Sequence, residues 1–508
     1  MDKTVGFIDV GTNSVHMLVV RFYEGTMGTP VYQDKEAVRL GYSLFIDGEI
    51  DGPTMEKTGK VLASFSSIAR RYGAEEILAC ATCAARESPN AAMLIDIAKK
   101  NGIDMRIISG EEEARLTRLG VLGPVSPRRT LLVDIGGGST EVTIADGEKD
   151  LLSTSLNLGA LRLTFGHGVS NVRKIEPDRY DYLRRCVDTE AAGIAGKIKE
   201  IGFETAVGSS GTLMTIAAAC AARRGDGDDS YFTYTELESL MKSLCRLAPK
   251  QRAKIAKIGA SRADIIIGGG AVAEELMFLF GINRMEISGN GLREGMRMDY
   301  LMRTGWKTSD IRSSSVYSLA GRFSTDREHG ENVKRLGQEL YGLFARAGMI
   351  EDRESLRELI GHAAILAEVG AVAGRRNKGE LTSLIIRKSS MTGFEPDELD
   401  TLSLLATTCR GPVPPPGSKI YTSYTPQMGI TIAKCIMILK LADIADRGRD
   451  GAVKSLTLSN HPDSVTIGLE SSQDVSLALW KMESSGEEFR KIFGRNLRVA
   501  SFNHSTEY

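Results

Sequence analysis

Two segments of the chain each place an aspartate beside a glycine-rich turn. Residues 131–145 read LLVDIGGGSTEVTIA, and residues 5–20 read VGFIDVGTNSVHMLVV. A carboxylate is a hard oxygen ligand that suits Mg2+, and backbone amides at a glycine turn can surround a phosphate because no Cβ stands in the way. We therefore expect two related halves of a site for Mg2+ and phosphate, although an isolated Asp-x-Gly turn also occurs in ordinary hairpins. The segments align without a gap, which pairs Asp9 with Asp134, Gly11 with Gly136 and Ser14 with Ser139.

The turn residues of both segments are the first predicted phosphate ligands. Asp9 and Asp134 stand where a strand runs into each turn, and both are predicted to contact the metal ion. The predicted phosphate ligands are Gly11, Thr12, Asn13 and Ser14 in the first copy and Gly136, Gly137, Gly138 and Ser139 in the second.

Three further glycine turns point to the same chemistry. They read VGSSGT at 207–212, IGGGAV at 267–272 and SGNGLREG at 288–295, and each is predicted to follow an apolar strand and to precede a helix. The first turn of a helix has free N–H groups that attract anions. Arg293 lies in the third turn, and its planar guanidinium suits a phosphate, although a surface arginine at a helix start is the alternative. The predicted ligands here are Gly208, Ser209, Ser210, Gly211, Thr212 and Arg293.

Two charged segments could complete a catalytic site. The segment ISGEEEARL places Glu111, Glu112 and Glu113 at a predicted helix start, where acidic residues also stabilise the helix dipole. Successive helical side chains point about 100° apart, so only one or two of the three can face a cleft and act as a general base for water. Arg86 follows a strand in ATCAARESPN, and we favour phosphate contact over a surface ion pair at this position.

Strands and helices alternate around these motifs, which predicts two α/β lobes built around central sheets. From about residue 312 the pattern changes to long helices, interrupted by the loop GPVPPPGSK, and after residue 453 strand signals return. The predicted domains are residues 1–128, 129–308, an all-helical 309–450 and a small α+β 451–508.

Composition limits the possible partners and the cellular setting. The 508 residues carry 64 Lys+Arg and 65 Asp+Glu, a net charge of -1, so bulk charge attracts neither nucleic acid nor an acidic membrane. No apolar run is long enough to span a membrane and no leader precedes TVGFIDVG, so we expect a soluble cytoplasmic protein. The seven cysteines include Cys80 and Cys83, whose small, apolar context favours buried thiols over a redox or zinc motif.

The motifs together resemble the exopolyphosphatase and guanosine pentaphosphate phosphatase family, within the actin, hexokinase and Hsp70-like ATPase superfamily. The resemblance covers residues 5 to about 300 strongly and the helical remainder more loosely. It implies two duplicated actin-like, ribonuclease H-like lobes. The motifs that carry it are FIDVGTNSVHML, ATCAARESPN, ISGEEEARL, LVDIGGGSTEV, GSSGT, GGGAV and GLREG.

This resemblance implies hydrolysis of the terminal phosphate of linear polyphosphate, or of the 5′-terminal phosphate of guanosine pentaphosphate (pppGpp), with Mg2+ or Mn2+. It makes Glu113 the general base, with Glu112 as the second choice. Asp134 and Glu141, together with Asp9, would hold or orient the metal and its water. Arg86 and Arg293 would neutralise the phosphate chain, and the family suggests a homodimer.

The helical domain resembles the HD-type phosphohydrolase fold but departs from its pattern. His329 stands where the first family histidine is expected, whereas the His-Asp pair is replaced by Ala367-Glu368 and a later His-Arg by Cys409-Arg410. A metal site without those imidazoles is not expected, so we predict no second hydrolytic centre. The domain also carries a cationic cluster that could guide a long polyanion or form an ordinary solvated face: Arg375, Arg376, Lys378, Arg387 and Lys388.

Four functions are compatible with these observations. The first is an Mg2+-dependent exopolyphosphatase, and the second is a pppGpp phosphatase. The third is an ATP-dependent kinase or filament protein of the same fold, because fold alone does not fix function. The fourth is a binding protein without catalysis, which would be favoured if Glu113 does not face the cleft.

Overall fold

The chain forms two compact units, residues 1–311 and 312–508. A computed structural model describes residues 3–23, 27–170, 172, 174–305, 311–323, 325–373, 377–389 and 391–502, without the side chains of Pro127, Ala373 and Pro396. The predicted domain boundaries at 128/129, 308/309 and 450/451 stay predictions.

The first lobe of unit 1 is a five-stranded sheet with helices packed against it. The strand order is β3-β2-β1-β4-β5, with β1, β4 and β5 parallel. Its elements are β1 (Lys3–Val10), β2 (Ser14–Phe22), β3 (Thr29–Ala37), α1 (Leu40–Asp47), α2 (Gly52–Arg71), β4 (Glu76–Ala81), α3 (Cys83–Glu87), α4 (Ala92–Lys100), β5 (Asp104–Ile107) and α5 (Gly110–Leu122).

The second lobe repeats this topology. Its sheet order is β10-β11-β9-β6-β7-β8, so that β6, β7, β8, β9 and β11 correspond in turn to β1 to β5. The predicted duplication is therefore confirmed. The elements are β6 (Ser126–Ile135), β7 (Thr140–Gly147), β8 (Lys149–Leu156), α6 (Ala160–Gly166), α7 (Pro177–Ile201), β9 (Thr205–Ser209), α8 (Gly211–Arg224), β10 (Tyr231–Thr233), α9 (Tyr234–Cys245), α10 (Pro249–Arg252), α11 (Ile266–Phe280), β11 (Arg284–Ile287) and α12 (Leu292–Arg303).

The two glycine turns adopt the same backbone geometry. The Gly11 N–H donates to the Ser14 carbonyl at 3.1 Å, and the Gly136 N–H donates to the Ser139 carbonyl at 2.9 Å. A Cβ on either glycine would lie 3.0 Å from that carbonyl oxygen, which explains why both copies use glycine. We name residues 11–14 the first phosphate loop and residues 136–139 the second phosphate loop.

Helix α12 packs against α5 and β1 of the first lobe, although it follows the second lobe in sequence. The helices cross where their glycines meet: a Cβ on Gly295 would lie 1.8 Å from the Leu116 carbonyl oxygen, and one on Gly120 would lie 2.0 Å from the Gly291 carbonyl oxygen. The crossing fixes the start of α12 against the helix that carries Glu113.

The prediction of a strand followed by a glycine turn at IGGGAV is wrong. Residues 266–280 form α11, and its three glycines are buried inside the helix. A Cβ on Gly268 would lie 2.4 Å from the Thr164 hydroxyl, and one on Gly270 would lie 2.3 Å from the Met241 sulfur. The glycines therefore allow α6 and α9 to pack closely on α11. Local sequence does not reveal this requirement for glycine, because the packing partners are distant in the chain.

Unit 2 combines helices with a three-stranded sheet of order β12-β13-β14. Its elements are α13 (Ile311–Arg322), α14 (Arg327–Arg346), α15 (Glu354–Leu366), α16 (Lys378–Lys388), α17 (Pro396–Thr408), α18 (Pro426–Ala445), β12 (Ser455–Asn460), β13 (Ser464–Glu470), α19 (Ser476–Glu483), α20 (Gly486–Phe493) and β14 (Asn496–Phe502), with short 3-10 helices at Val369–Ala373 and Lys419–Tyr421. Helices and sheet share one hydrophobic core.

An ion network occupies the centre of unit 2 around His329. Its Nδ1 lies 2.7 Å from Asp446 Oδ2, and its Nε2 lies 2.6 Å from Arg410 Nη2. Arg410 also contacts Asp443 and Glu368. The Arg410 guanidinium therefore lies between His329, Glu368 and Asp443, where the resemblance to the HD-type fold is incomplete. That resemblance stays a prediction.

Among the described residues, no helix combines the length and apolar character that crossing a membrane requires. All seven cysteines are free thiols, and six of them are buried. Burial raises the pKa of Cys83 to about 12.

Candidate active site

A cavity of about 550 Å3 opens in unit 1 at the carboxyl ends of the central strands. Ligands of open α/β sheets commonly bind at this edge, and the volume lies in the range of small-molecule sites. Sixteen of the predicted site residues line the cavity: Asp9, Gly11, Thr12, Asn13, Ser14, Glu113, Asp134, Gly136, Gly137, Ser139, Glu141, Ser209, Ser210, Gly211, Thr212 and Arg293.

Four carboxylates form one wall of the cavity. Asp9 is paired in register with His16, and Asp134 is paired in register with Glu141. The fourth is Glu113, in the first turn of α5. The second lobe therefore places a glutamate where the first lobe has a histidine.

The acidic wall raises the pKa values of its own members. Burial, then the charge of Glu113, raises the pKa of Asp9 to about 7. Burial raises the pKa of Asp134 to about 6, and burial together with Glu113 and Asp134 raises the pKa of Glu141 well above its ordinary value. Buried like charges destabilise one another, and Arg293 and Arg86 offset this only in part, at Asp9 and at Glu113.

These residues fit a hard divalent cation. Within the part of the chain that the structure describes, no group of three or more histidine, cysteine or acidic side chains is placed so that it could hold a metal ion without other ligands. Mg2+ often uses one or two carboxylates and completes its shell with water and phosphate oxygens. The predicted metal ligands Asp9, Asp134 and Glu141 line the cavity, and a cation there would offset their repulsion, but their role as metal ligands stays a prediction.

Glu112 and Glu113 face different surroundings although they are neighbours on α5. Ser109 caps the helix by accepting the Glu112 N–H at 3.1 Å, so the first turn is fixed in orientation. Glu113 lines the cavity, whereas Glu112 is bound by Arg115 at 2.7 Å and Arg106 at 3.2 Å outside it. The structure therefore brings the first choice of general base to the cavity and not the second.

The environment of Glu113 suits proton transfer. Its Oε2 lies 3.1 Å from Arg86 Nη1, and Arg86 also donates to the Ile108 carbonyl at 2.8 Å. Burial raises the pKa of Glu113 to about 7, against the opposing effect of Arg86 and with a further rise from Asp134. A carboxylate with a pKa near neutrality is a suitable general base.

Four predicted site residues do not line the cavity. Glu112 is one, and Arg86 lies behind Glu113, so its role as a phosphate ligand stays a prediction. A Cβ on Gly138 would meet Cys83 Sγ at 2.5 Å, and one on Gly208 would meet Met285 Sδ at 2.7 Å, so both glycines serve close packing.

Three cationic side chains also line the cavity, and sequence reasoning missed two of them. Arg262 and Lys35 line the cavity with Arg293. The Arg262 guanidinium lies against Gly211, where a Cβ would meet Nη2 at 1.8 Å, and Nη1 lies 3.5 Å from the Thr212 hydroxyl. Among the described residues no carboxylate forms an ion pair with Arg262, and burial lowers the pKa of this guanidinium.

The three cations repel one another across the cavity. Burial, then Arg262 and Arg293, lowers the pKa of Lys35. Burial, then Arg293, Lys35 and Arg262, lowers the pKa of His16 to about 3, so this imidazole is neutral. Arg293 pairs with Glu294 at 3.5 Å, and a cluster of cations that repel one another forms a site that an anionic ligand would stabilise. The signal in the sequence is weak, because Lys35 lies on a polar edge strand and Arg262 lies in a loop.

Residues 18–304 match the model of the Ppx/GppA phosphatase family, and residues 311–484 match the model of domain III of that family. The chain belongs to the Ppx/GppA phosphatase family. Members hydrolyse phosphoanhydride bonds, and this chain is an enzyme of that class.

This Ppx/GppA phosphatase is similar to named relatives and to proteins of known structure. A guanosine-5′-triphosphate,3′-diphosphate pyrophosphatase of Aeromonas hydrophila is 27% identical over 469 residues, which cover 91% of this chain and 92% of the relative. The crystal structure of an exopolyphosphatase from Cytophaga hutchinsonii is 26% identical with a TM-score of 0.55 and covers 60% of this chain and 99% of that one. A family member from Aquifex aeolicus, 22% identical with a TM-score of 0.50 over 60% of this chain and 100% of that one, supports the fold.

Two of the five residues in the cationic cluster predicted in unit 2 of this Ppx/GppA phosphatase are paired with carboxylates. Lys378 Nζ lies 3.7 Å from Glu368, and Arg387 Nη2 lies 3.3 Å from Asp400. Lys388 also has an interaction partner. Arg375 and Arg376 lie outside the described residues, so a polyanion channel stays a prediction.

Proposed function

We propose that this Ppx/GppA phosphatase releases the terminal phosphate of linear polyphosphate by attack of water in the unit 1 cavity. The observation that supports this proposal is that buried carboxylates and three cations line the same cavity. A phosphate chain needs cations and amides for its oxygens, and the attacking water needs a base on the opposite side.

The residues of this chain divide the chemistry among them. Arg262, Lys35 and Arg293 would bind phosphate oxygens and hold the chain in place. The two phosphate loops would orient the terminal group by their backbone amides. Glu113 Oε2 would accept a proton from the water, whose attack breaks the terminal phosphoanhydride bond.

Mg2+, or Mn2+, would be held by Asp9, Asp134 and Glu141. Such an ion offsets negative charge on the phosphate oxygens and on the leaving group. The buried carboxylates themselves would orient water in the cavity. We further propose a cytoplasmic location, and a homodimer as the family resemblance implies.

The second candidate is hydrolysis of the 5′-terminal phosphate of pppGpp. The relative from Aeromonas hydrophila favours it, because that match covers 91% of this chain. The chemistry at the terminal phosphate is the same for both substrates, so the cavity walls serve either one. The two proposals differ in what lies beyond the terminal phosphates.

Phosphate release with Mg2+ tests both candidates in one experiment. Long-chain polyphosphate and pppGpp are supplied separately to the full chain and to its Glu113→Gln variant. A larger kcat/KM on polyphosphate supports the first candidate, and a larger value on pppGpp supports the second. If the wild-type protein releases phosphate from neither substrate, both candidates are wrong.

A further inference from the structure

The second phosphate loop is held from behind by the start of α6. The Gly136 carbonyl accepts a hydrogen bond from the Ala160 N–H at 3.0 Å, and the Gly137 carbonyl accepts one from the Leu161 N–H at 2.8 Å. The third carbonyl, of Gly138, accepts one from a side chain, Arg162 Nε, at 2.6 Å. The N-terminus of α6 therefore binds the loop rather than a ligand.

The direction of these carbonyls fixes the direction of the loop amides. In a trans peptide the C=O of one residue and the N–H of the next point to opposite sides of the chain. With the three carbonyls directed at α6, the N–H groups of Gly137, Gly138 and Ser139 point away from that helix. Gly136, Gly137 and Ser139 line the cavity, so carbonyl binding behind the loop orients donors for an anion in front of it.

The first phosphate loop has a similar arrangement, made entirely by backbone. The Asn13 carbonyl accepts from the Arg39 N–H at 2.8 Å, and the Thr12 carbonyl accepts from the Gly41 N–H at 2.9 Å. Asn13 aligns with Gly138 in the two copies of the sequence. In the first lobe a backbone N–H binds the carbonyl at this position, whereas in the second lobe the Arg162 side chain binds it. A mutation can therefore remove this donor in the second lobe.

The same guanidinium crosses to the first lobe. Arg162 Nη2 lies 2.5 Å from Glu87 Oε1 at the end of α3, and the guanidinium carbon stands 4.6 Å from the centre of the Phe45 ring. The second phosphate loop also packs closely against the first lobe here. A Cβ on Gly137 would meet Thr12 Cβ at 3.0 Å, and one on Gly138 would meet Phe45 Cζ at 3.0 Å. One side chain therefore contacts the second phosphate loop and an acidic anchor in the opposite lobe.

We propose that Arg162 is a positioning residue for the second phosphate loop, with Glu87 as its anchor on the first lobe. This inference rests on the proposed function of the loop as a phosphate site. Arg162 holds the Gly138 carbonyl away from the cavity, which keeps the Ser139 N–H directed toward the phosphate. Glu87 keeps the guanidinium in that orientation, so loop geometry depends on contact between the lobes.

Arg129 offers a matched control for this arginine. It also donates to a backbone carbonyl, of Ile201 at 3.1 Å, and to a carboxylate, of Asp146 at 3.0 Å. It lies near the start of β6, at the end of the strand away from the second phosphate loop. Arg129→Gln therefore removes the same kinds of interaction without touching the loop.

The test measures kcat, KM, inhibition by inorganic phosphate and the urea midpoint of Arg162→Gln, Glu87→Gln, their double variant and Arg129→Gln. We expect Arg162→Gln to lower kcat/KM by about tenfold or more and to weaken inhibition by phosphate, because misplaced donors lose much of their effect. Arg129→Gln should match the wild type. Glu87→Gln should cause a smaller loss and no additional loss in the Arg162→Gln background, since the two act through one contact.

Two further measurements keep the outcome decisive. Arg162→Lys retains a donor for the Gly138 carbonyl but lacks the guanidinium fork, so we expect an intermediate loss of kcat/KM. This variant keeps the inference testable if Arg162→Gln does not fold. Hydrogen exchange of a peptide covering residues 134–139 should be faster in Arg162→Lys than in Arg129→Gln, because the Gly136 N–H, which donates to the Ser139 carbonyl, loses protection when the loop loosens. This readout does not require activity.

The inference is overturned if the Arg162 variants match Arg129→Gln in both kcat/KM and loop exchange, or if the Arg162 and Glu87 effects multiply independently. If the wild-type protein hydrolyses neither substrate, the proposed function fails. The exchange measurement then still decides whether Arg162 orders the loop.

Discussion

Glu112 and Glu113 are sequence neighbours whose carboxylates lie on different sides of α5. Glu113 faces the cavity and contacts Arg86, while Glu112 is bound by Arg115 and Arg106 outside it. The rotation of the helix sets this difference, and Ser109 fixes the helix start.

This difference makes the two glutamates a matched pair for mutation. Glu113→Gln should lower kcat for phosphate release by about 10²- to 10⁴-fold, because it removes the general base. Glu112→Gln should stay within about twofold of the wild type, since it changes only ion pairs outside the cavity. Equal losses in both variants, measured by phosphate release with circular dichroism as a folding control, would contradict the assignment of Glu113.

Metal dependence can be tested at Asp134. Chelation with EDTA should abolish phosphate release, and added Mg2+ should restore it. Asp134→Asn should raise the Mg2+ concentration for half-maximal activity by about tenfold or more, in the range seen when metal-site contacts are lost. Asp146→Asn, which lies on β7 and pairs with Arg129, is the control. An unchanged Mg2+ requirement in Asp134→Asn would remove this residue from the metal site.

The guanidinium of Arg262, which forms no ion pair among the described residues, should contribute more to substrate binding than to the free energy of folding. Arg262→Gln is expected to raise KM by about tenfold, the size of a lost charge-assisted hydrogen bond. Arg303→Gln removes an exposed arginine of α12 that pairs with Asp299 at 2.7 Å, and its KM should match that of the wild type. Steady-state kinetics at two salt concentrations check the result, and the same KM in both variants would argue against a substrate contact at Arg262.

The crossing of α5 and α12 predicts a stability difference between two glycine substitutions. Gly295→Ala places a Cβ 1.8 Å from a backbone oxygen, so it should destabilise the protein by about 2 kcal/mol or more. Gly193→Ala lies on α7 with no atom near its Cβ position, and it should stabilise by about 0.5 kcal/mol or more. Urea unfolding measures both, and a neutral Gly295→Ala would show that the helices can separate without cost.

His362 predicts a pH dependence of stability. Burial, then Arg312 and Lys334, lowers its pKa to about 4, against a contribution from Glu398 that raises it. The nearest acidic contact is Glu358 at 3.9 Å, and Ser313 Oγ lies 3.3 Å from Nε2. The unfolded chain, with the ordinary histidine pKa of 6.5, therefore binds the proton more readily.

The contribution of His362 is complete above about pH 6.5 and declines as the pH falls towards 4. The loss is at most about 3 kcal/mol, by the free energy of a pKa difference. His362→Gln should remove this part of the pH dependence. Urea unfolding of the full chain at several pH values between 7.5 and 4 gives the comparison, and parallel curves for variant and wild type would refute the role of His362.

The amino-acid sequence by itself determined the duplicated hairpins, the two phosphate loops and the alternation of strands and helices, except at IGGGAV. These features depend on short-range rules, because alternating apolar residues predict strands and glycine is needed where a Cβ would meet a carbonyl, as at Gly11 and Gly136. The aspartates that precede these turns could be identified for the same reason.

Tertiary structure alone decided which glutamate faces the cavity, and it brought Arg262 and Lys35 into the lining of the same cavity. It also made IGGGAV part of α11 and placed α12 on the first lobe. Each outcome depends on contacts between residues far apart in the chain, which set helix rotation and the approach of backbones. Arg162 shows this most clearly, because its contacts with Gly138 and Glu87 join segments that no local pattern connects.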